Sequence, residues 1–248
     1  MLTLPLTSRL LRDFRKCPQL FYRKQSGLLP STTSKTYLVE NAARYLILKG
    51  REAFDEKYLI GGDRPINPKT GLPYGTETKK YAEWRATVEQ EILTEQEGQT
   101  AFAVAAAVAA HDEAAPLLMA GRAYVHADGE FDGLPAQSLS HWLSDDGTLV
   151  YITIINDLDR FAEQARDYEY AHRLQFEDAV LTSTGEVVQR YRLIAIEKRE
   201  PFRVGVWTIG EELVWDAIQQ NRAAAQQIDE CQRTGYWPTN FEKMQTLE

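Results

Sequence analysis

The run "LVYITII" at positions 149–155 is apolar or β-branched throughout, lies between the turn formers "SDDG" and the polar exit "NDLD", and carries no charge. Strand formers in a short uninterrupted run of this kind predict a core strand of a buried sheet. Ahead of it, 122–128 and 134–143 read as two further strands. Tight connections at "DGEFDG" and "SDDG" join the three into a meander. Helical spacing then extends from about Asp159 to Leu181, followed by strands at about 187–198 and 202–208. A last helix runs from Glu211 to about Thr234, with Gly235 at its C-terminal cap.

The first half of the chain has a different texture. Ser8 is placed to cap a short helix carrying Leu10, Leu11 and Phe14 on one side, and Pro18 suits the first turn of a second, "PQLFYRK". A loop over 25–33 precedes a third helix over roughly 35–49, closed by Gly50. The stretch 61–77 is rich in Gly and Pro and predicts a long loop. Thr78 opens a helix to about Ile92. Thr94 and Glu97 form a capping-box pair before the alanine-rich "QTAFAVAAAVAAHDE", which is nearly uncharged and should be well buried or closely packed against another helix. The order predicts one mixed α/β (α+β) domain over 1–248: a mainly helical part at 1–121, then a sheet core and C-terminal helix at 122–248.

The 248 residues are 44% hydrophobic and 26% charged, enough for a sizeable core. No apolar run approaches the ~20 residues of a membrane span. The N-terminus is charged too early for a secretory signal, so the expected location is cytoplasmic with no membrane partner. Cys17 and Cys231 lie at opposite ends of the chain and read as reduced thiols, and the four histidines are scattered. The net charge of −8 argues against a surface that coats nucleic acid broadly, but residues 1–60 hold 11 Lys+Arg against 5 Asp+Glu. Arg9, Arg12 and Lys16 share a helix face, with Arg23 and Lys24 close behind. That face is either a solvated helix surface or a phosphate contact.

Three stretches carry a likeness. "TSRLLRDFRKCPQLFYRK" has a leading Ser, a short amphipathic helix and a Cys-Pro helix. "INPKTGLPYGTETKKYAEW" is a Pro/Gly connection and following helix. "IAIEKREPFRVGVWTIGEELVWDAIQQNRAAAQQIDECQRTGYWP" joins a Glu-Lys strand, a Pro turn, a second strand and a long helix ending in Trp-Pro. In this order they resemble the phage and bacterial exonuclease VIII-type proteins of the PD-(D/E)XK nuclease superfamily, alongside lambda-type exonucleases. The resemblance implies a restriction-endonuclease-like core, a mixed central sheet flanked by helices. It also implies magnesium-dependent DNA hydrolysis, in which carboxylates hold the ion and a lysine two residues along the strand positions water.

The residues at those positions are different ones. The third strand places Tyr151 at the acid and Thr153 at the lysine. The second strand places His141 at the aspartate, and the first places Tyr124 at the glutamate. The third helix places Tyr45 at the histidine and Asn41 at a glycine. Gln175 stands where the family keeps a glutamine. No Asp/Glu-x-Lys occurs between 122 and 156. The expectation is a catalytically eroded nuclease with no cofactor, contacting DNA through Arg9, Arg12, Lys16, Arg23, Lys24 and Lys198, with tyrosines free to stack on bases. Its partners would be linear duplex ends, single strands, or a recombination or nuclease assembly. The resemblance leaves a homo-oligomer open, since exonucleases of that kind can form rings. One alternative is an active enzyme using Mg or Mn on Asp145, Asp146 and Asp157; another is a scaffold or inhibitor that binds no DNA. Glu197 reads as structural or phosphate-facing, Glu177 and Asp178 as helix-surface acids, His172 as a hydrogen-bonding residue, and Trp207, Trp215 and Trp237 as core aromatics.

Overall fold

The computed structural model describes residues 4–29, 37–62 and 64–244. Thr7, not Ser8, starts the first helix. Its Oγ1 accepts the Leu10 N–H, and the extended backbone at Thr7 makes it the cap of α1 (Ser8–Lys16). Cys17 then caps α2 (Pro18–Gln25) through its Sγ. The third helix α3 (Leu38–Lys57) does not stop at Gly50. That glycine takes φ 79° and ψ −179°, a conformation that admits almost only glycine, and the chain re-enters helix beyond it. The start expected at 35 lies outside the described residues.

Two short strands follow that periodicity does not reveal. β1 (Tyr58–Ile60) pairs in parallel with β2 (Glu91–Leu93). Between them α4 (Lys79–Arg85) is capped by Thr78 but ends well before Ile92. Both halves of the Thr94/Glu97 capping box form at the head of α5 (Glu95–Ala109), which packs against α3 as its alanine content requires. A single turn, α6 (Ala114–Leu117), leads into the sheet.

The meander is β3 (Gly121–Phe131), β4 (Leu134–Ser144) and β5 (Thr148–Ile155). Asp132 and Gly133 both take positive φ (50° and 78°), as a two-residue hairpin turn needs, so β3 runs further than its pattern indicates. The predicted long helix is two: α7 (Phe161–Asp167) and α8 (Tyr170–Ser183), broken at Glu169 with φ 57°. Then come β6 (Arg190–Glu197), β7 (Val204–Thr208) and α9 (Glu211–Thr234), closed by Gly235 at φ 73°. The five strands lie in the order β3-β4-β5-β6-β7. Only β5 and β6 are parallel, so the sheet is mixed as expected.

β5 is buried along its whole length. Leu149, Tyr151 and Ile155 face a layer built with α1, α2, α8 and α9, where Leu11, Phe14, Phe21, Leu174 and Ile228 are buried. Val150, Ile152 and Ile154 face the α3/α5 layer of Ala42, Phe54, Ala101 and Val104. Trp207 and Trp237 join the core through Phe161 and through Phe14 and Phe21, whereas Trp215 is 61% exposed and is not a core residue. Both cysteines are free thiols. Among the described residues no helix is long and apolar enough to cross a membrane.

Candidate functional site: an arginine-lined cleft at a fork in the sheet

β4 and β5 pair only at Trp142–Val150 and Leu143–Leu149, and then the ladder stops. Beyond that point side chains replace strand. The Ile152 N–H donates to His141 Nδ1 (3.1 Å), and the Ile152 carbonyl accepts from Arg44 Nε (3.1 Å). Both backbone groups of Ile152 are satisfied in this way where the strands part. On β3, Tyr124 takes φ 53° and is skipped by the ladder between Ala123–Trp142 and Val125–Ser140.

His141 is buried and stacks on Tyr151 with ring centroids 4.4 Å apart and 14° between planes. Burial, with Arg44 and Arg173 nearby, holds its pKa well below the usual imidazole value. The ring is therefore neutral, and because Nδ1 accepts, the proton sits on Nε2. Arg173 lies over the Tyr151 ring at 4.4 Å and forms an ion pair with Glu177 at 2.7 Å. Glu177 is thus a buried partner rather than a surface acid, and burial raises its pKa. Asp178 accepts from the Tyr191 hydroxyl. Thr153 Oγ1 and the Tyr170 hydroxyl are 3.2 Å apart, and burial pushes Tyr170 up to about 12.

Tyr151 and Thr153 open onto a cleft of about 540 Å³ between β5, the start of α1, α3, and the α7–α8 junction. Six cationic side chains line it: Arg9, Arg12, Arg15, Arg44, Arg173 and Lys198. The two lining carboxylates are both engaged, Glu40 with Lys198 (2.6 Å) and Glu169 with Arg15. Arg9 and Arg12 have no ion-pair partner among the described residues, and Arg12 Nε is buried without a hydrogen bond. A divided positive charge of this kind, partly shielded from solvent, favours anions.

Several residues that the sequence nominates lie elsewhere. Tyr45 and Tyr124 stack on each other (5.9 Å) in the α3/α5 layer, with Tyr58 and Lys57 beside Tyr45, so they do not line the cleft with Tyr151. Gln175 is buried and accepts from Asn221 Nδ2 (2.6 Å), tying α8 to α9. Lys16 and Arg23 are exposed outside the cleft, and Lys24 pairs with Asp13. Arg15 takes the place expected of Lys16, because Glu169 and Asn221 draw its guanidinium inward. His172 bonds Gln220 (3.0 Å), as expected of a hydrogen-bonding histidine. Glu197 is structural: it accepts from Arg203 and the Leu158 N–H, which pull its pKa down to about 2, while Arg203 also grips Asp159. Arg44, Arg173 and Tyr168 belong to no motif, so nothing in the sequence marks them as cleft residues.

The relocated acid set does not converge. Asp146 caps the Thr148 N–H at one end of β5, and Asp157 bonds the Asp159 N–H beyond the other. The eight residues of β5 between them set these ends roughly 25 Å apart. Nor do the cleft residues fit a divalent ion. The His141 lone pair is taken by Ile152, Tyr151 and Thr153 are neutral, both carboxylates answer cations, and guanidinium groups crowd the space. Among the described residues no group of three His, Cys, Asp or Glu side chains comes together as a metal site.

The whole fold is similar to that of a solved structure described as "Putative exonuclease" from Eubacterium rectale. The TM-score is 0.66 over 98% of this chain and 90% of that one, at 11% identity. A weaker likeness, TM-score 0.35 at 16% identity over 65% of this chain and 88% of that one, is to the alkaline exonuclease LHK-Exo from Laribacter hongkongensis. No family model and no curated protein matches the sequence. The first likeness shows a nuclease-like fold, and at this identity it reaches no further than the fold.

Proposed function

We propose that this chain is a PD-(D/E)XK-type, exonuclease-like protein that has lost hydrolysis and binds DNA phosphates in the cleft beside β5. The observation that carries this reading is the charge of the cleft. Where such a fold would hold a cation between carboxylates, here six cations face two carboxylates that are already paired. Removing acids from a phosphate groove also removes their repulsion of DNA, so erosion of catalysis and retention of binding go together. The exonuclease fold supports DNA over other polyanions as the ligand.

A gel shift in EDTA, paired with a nuclease assay in Mg²⁺ and in Mn²⁺, tests the proposal. The expected result is a retarded band without metal and intact DNA with it. DNA left unshifted at high micromolar protein would leave the scaffold or inhibitor reading, and metal-dependent loss of linear DNA would restore the enzyme.

A further inference from the structure

The rim of the cleft carries two exposed aromatic rings that the packing of the core does not use. Tyr168 is 54% exposed and Tyr37 is 60% exposed, and both line the cleft that holds Arg9 and Arg12. Single exposed aromatics are ordinary on a protein surface. Two on the rim of one arginine cleft are a different observation, because they set flat apolar surfaces next to unpaired guanidinium groups.

Tyr168 is also held in place. It ends α7, and the following residue, Glu169, adopts φ 57°, a left-handed conformation that is uncommon for a residue other than glycine. This break turns the chain at the cleft, and Arg15 grips the Glu169 carboxylate there. The Tyr168 ring lies 6.0 Å from Tyr170 at 23°, Tyr170 lies 4.9 Å from Tyr151, and Tyr151 stacks on His141. The aromatic series thus begins at solvent and ends at the fork in the sheet.

We infer that the cleft takes an unpaired DNA strand, with phosphates on Arg9 and Arg12 and a neighbouring base stacked on Tyr168. This rests on the phosphate-binding reading above and deepens it. A cavity of about 540 Å³ is the size of a small-ligand pocket. It admits a nucleotide-sized group, whereas a duplex must ride over it with its base faces already stacked on one another. Aromatic platforms beside a cationic groove are how sequence-tolerant single-strand binders work, since every base offers a π-face. Tyr37 stands ready to cover a second base.

Fluorescence anisotropy in EDTA tests this with four probes: a labelled single-stranded oligonucleotide, the blunt duplex of the same length, an abasic strand of the same length, and a deoxynucleoside monophosphate as competitor. The single strand is expected to bind at least about tenfold more tightly than the duplex. Tyr168→Ala is expected to weaken it roughly five- to hundredfold, the loss of one stacked base. Tyr168→Phe keeps the ring and should retain binding, and Tyr168→Ala should leave abasic binding unchanged. Because Tyr168 is exposed, a thermal melt should show both variants folded.

Equal affinity for normal and abasic strands, both weakened by Arg12→Ala, would overturn the stacking inference and leave phosphate binding standing. Duplex binding as tight as single-strand binding would overturn it too. A mononucleotide that matched the oligonucleotide would make the ligand a free nucleotide rather than a strand. Failure of every probe to bind would bring down the phosphate reading itself.

Discussion

His141 shows what one residue contributes at the fork. It replaces a strand by accepting the Ile152 N–H, and it stays neutral to do so. His141→Ala leaves a buried amide unsatisfied, a cost of about 1–3 kcal/mol, and forfeits the stack on Tyr151, worth roughly 0.5–1.5 kcal/mol more. Chemical denaturation at neutral pH checks the sum. The pH dependence has a definite sign. Since the folded pKa is depressed, the unfolded chain takes up a proton that the folded one refuses. The stabilisation is complete above about 6.5 and is lost as pH falls from there toward the folded value, at up to about 1.4 kcal/mol per pH unit. His141→Gln should make the stability profile between pH 7 and 5.5 visibly flatter than wild type. Arg12 gives a second test at this scale. Losing one phosphate contact from a single strand should reduce the slope of log K against log salt by about 0.7. A titration series of Arg12→Ala at several salt concentrations measures it.

Among the elements, the ends that carry chemical punctuation are legible in the sequence. α9 runs from Glu211 to Thr234 and stops at Gly235, and α5 starts at its capping box, as the sequence indicates. Elements without punctuation are not. The break between α7 and α8 falls at Glu169, an ordinary helix former held left-handed by tertiary contacts with Arg15, so the pattern reads as one helix. β1 and β2 are three residues each, too short for periodicity to register. At Gly50 the signal is real but ambiguous, since a glycine with positive φ serves a helix end and a kink alike. Gly50→Ala should destabilise the protein by about 1–3 kcal/mol, because a side chain there is strained by the backbone alone. Thermal unfolding of the variant reads this out, and an unchanged midpoint would mean that α3 tolerates a different path.

For the molecule as a whole, the arrangement of strands and helices is readable from order and turns, and the exonuclease-like fold bears it out. The site is readable only in part. Of the positions that the resemblance nominates, Tyr151, Thr153 and His141 gather beside the cleft, because they lie on neighbouring strands at the fork. Tyr45 and Tyr124 fall on the other face of the sheet. The charge that defines the cleft comes from four regions far apart in sequence: Arg9–Arg15, Arg44, Arg173 and Lys198. Their convergence is a tertiary fact that no local pattern carries.

Calorimetric titration of the protein with Mn²⁺, followed by DNA in the same cell, addresses the cleft's charge directly. The expected result is no saturable metal binding below millimolar concentration, and a DNA binding heat that is the same with and without Mn²⁺ at matched ionic strength. Saturable sub-millimolar Mn²⁺ binding that DNA binding then requires would contradict it.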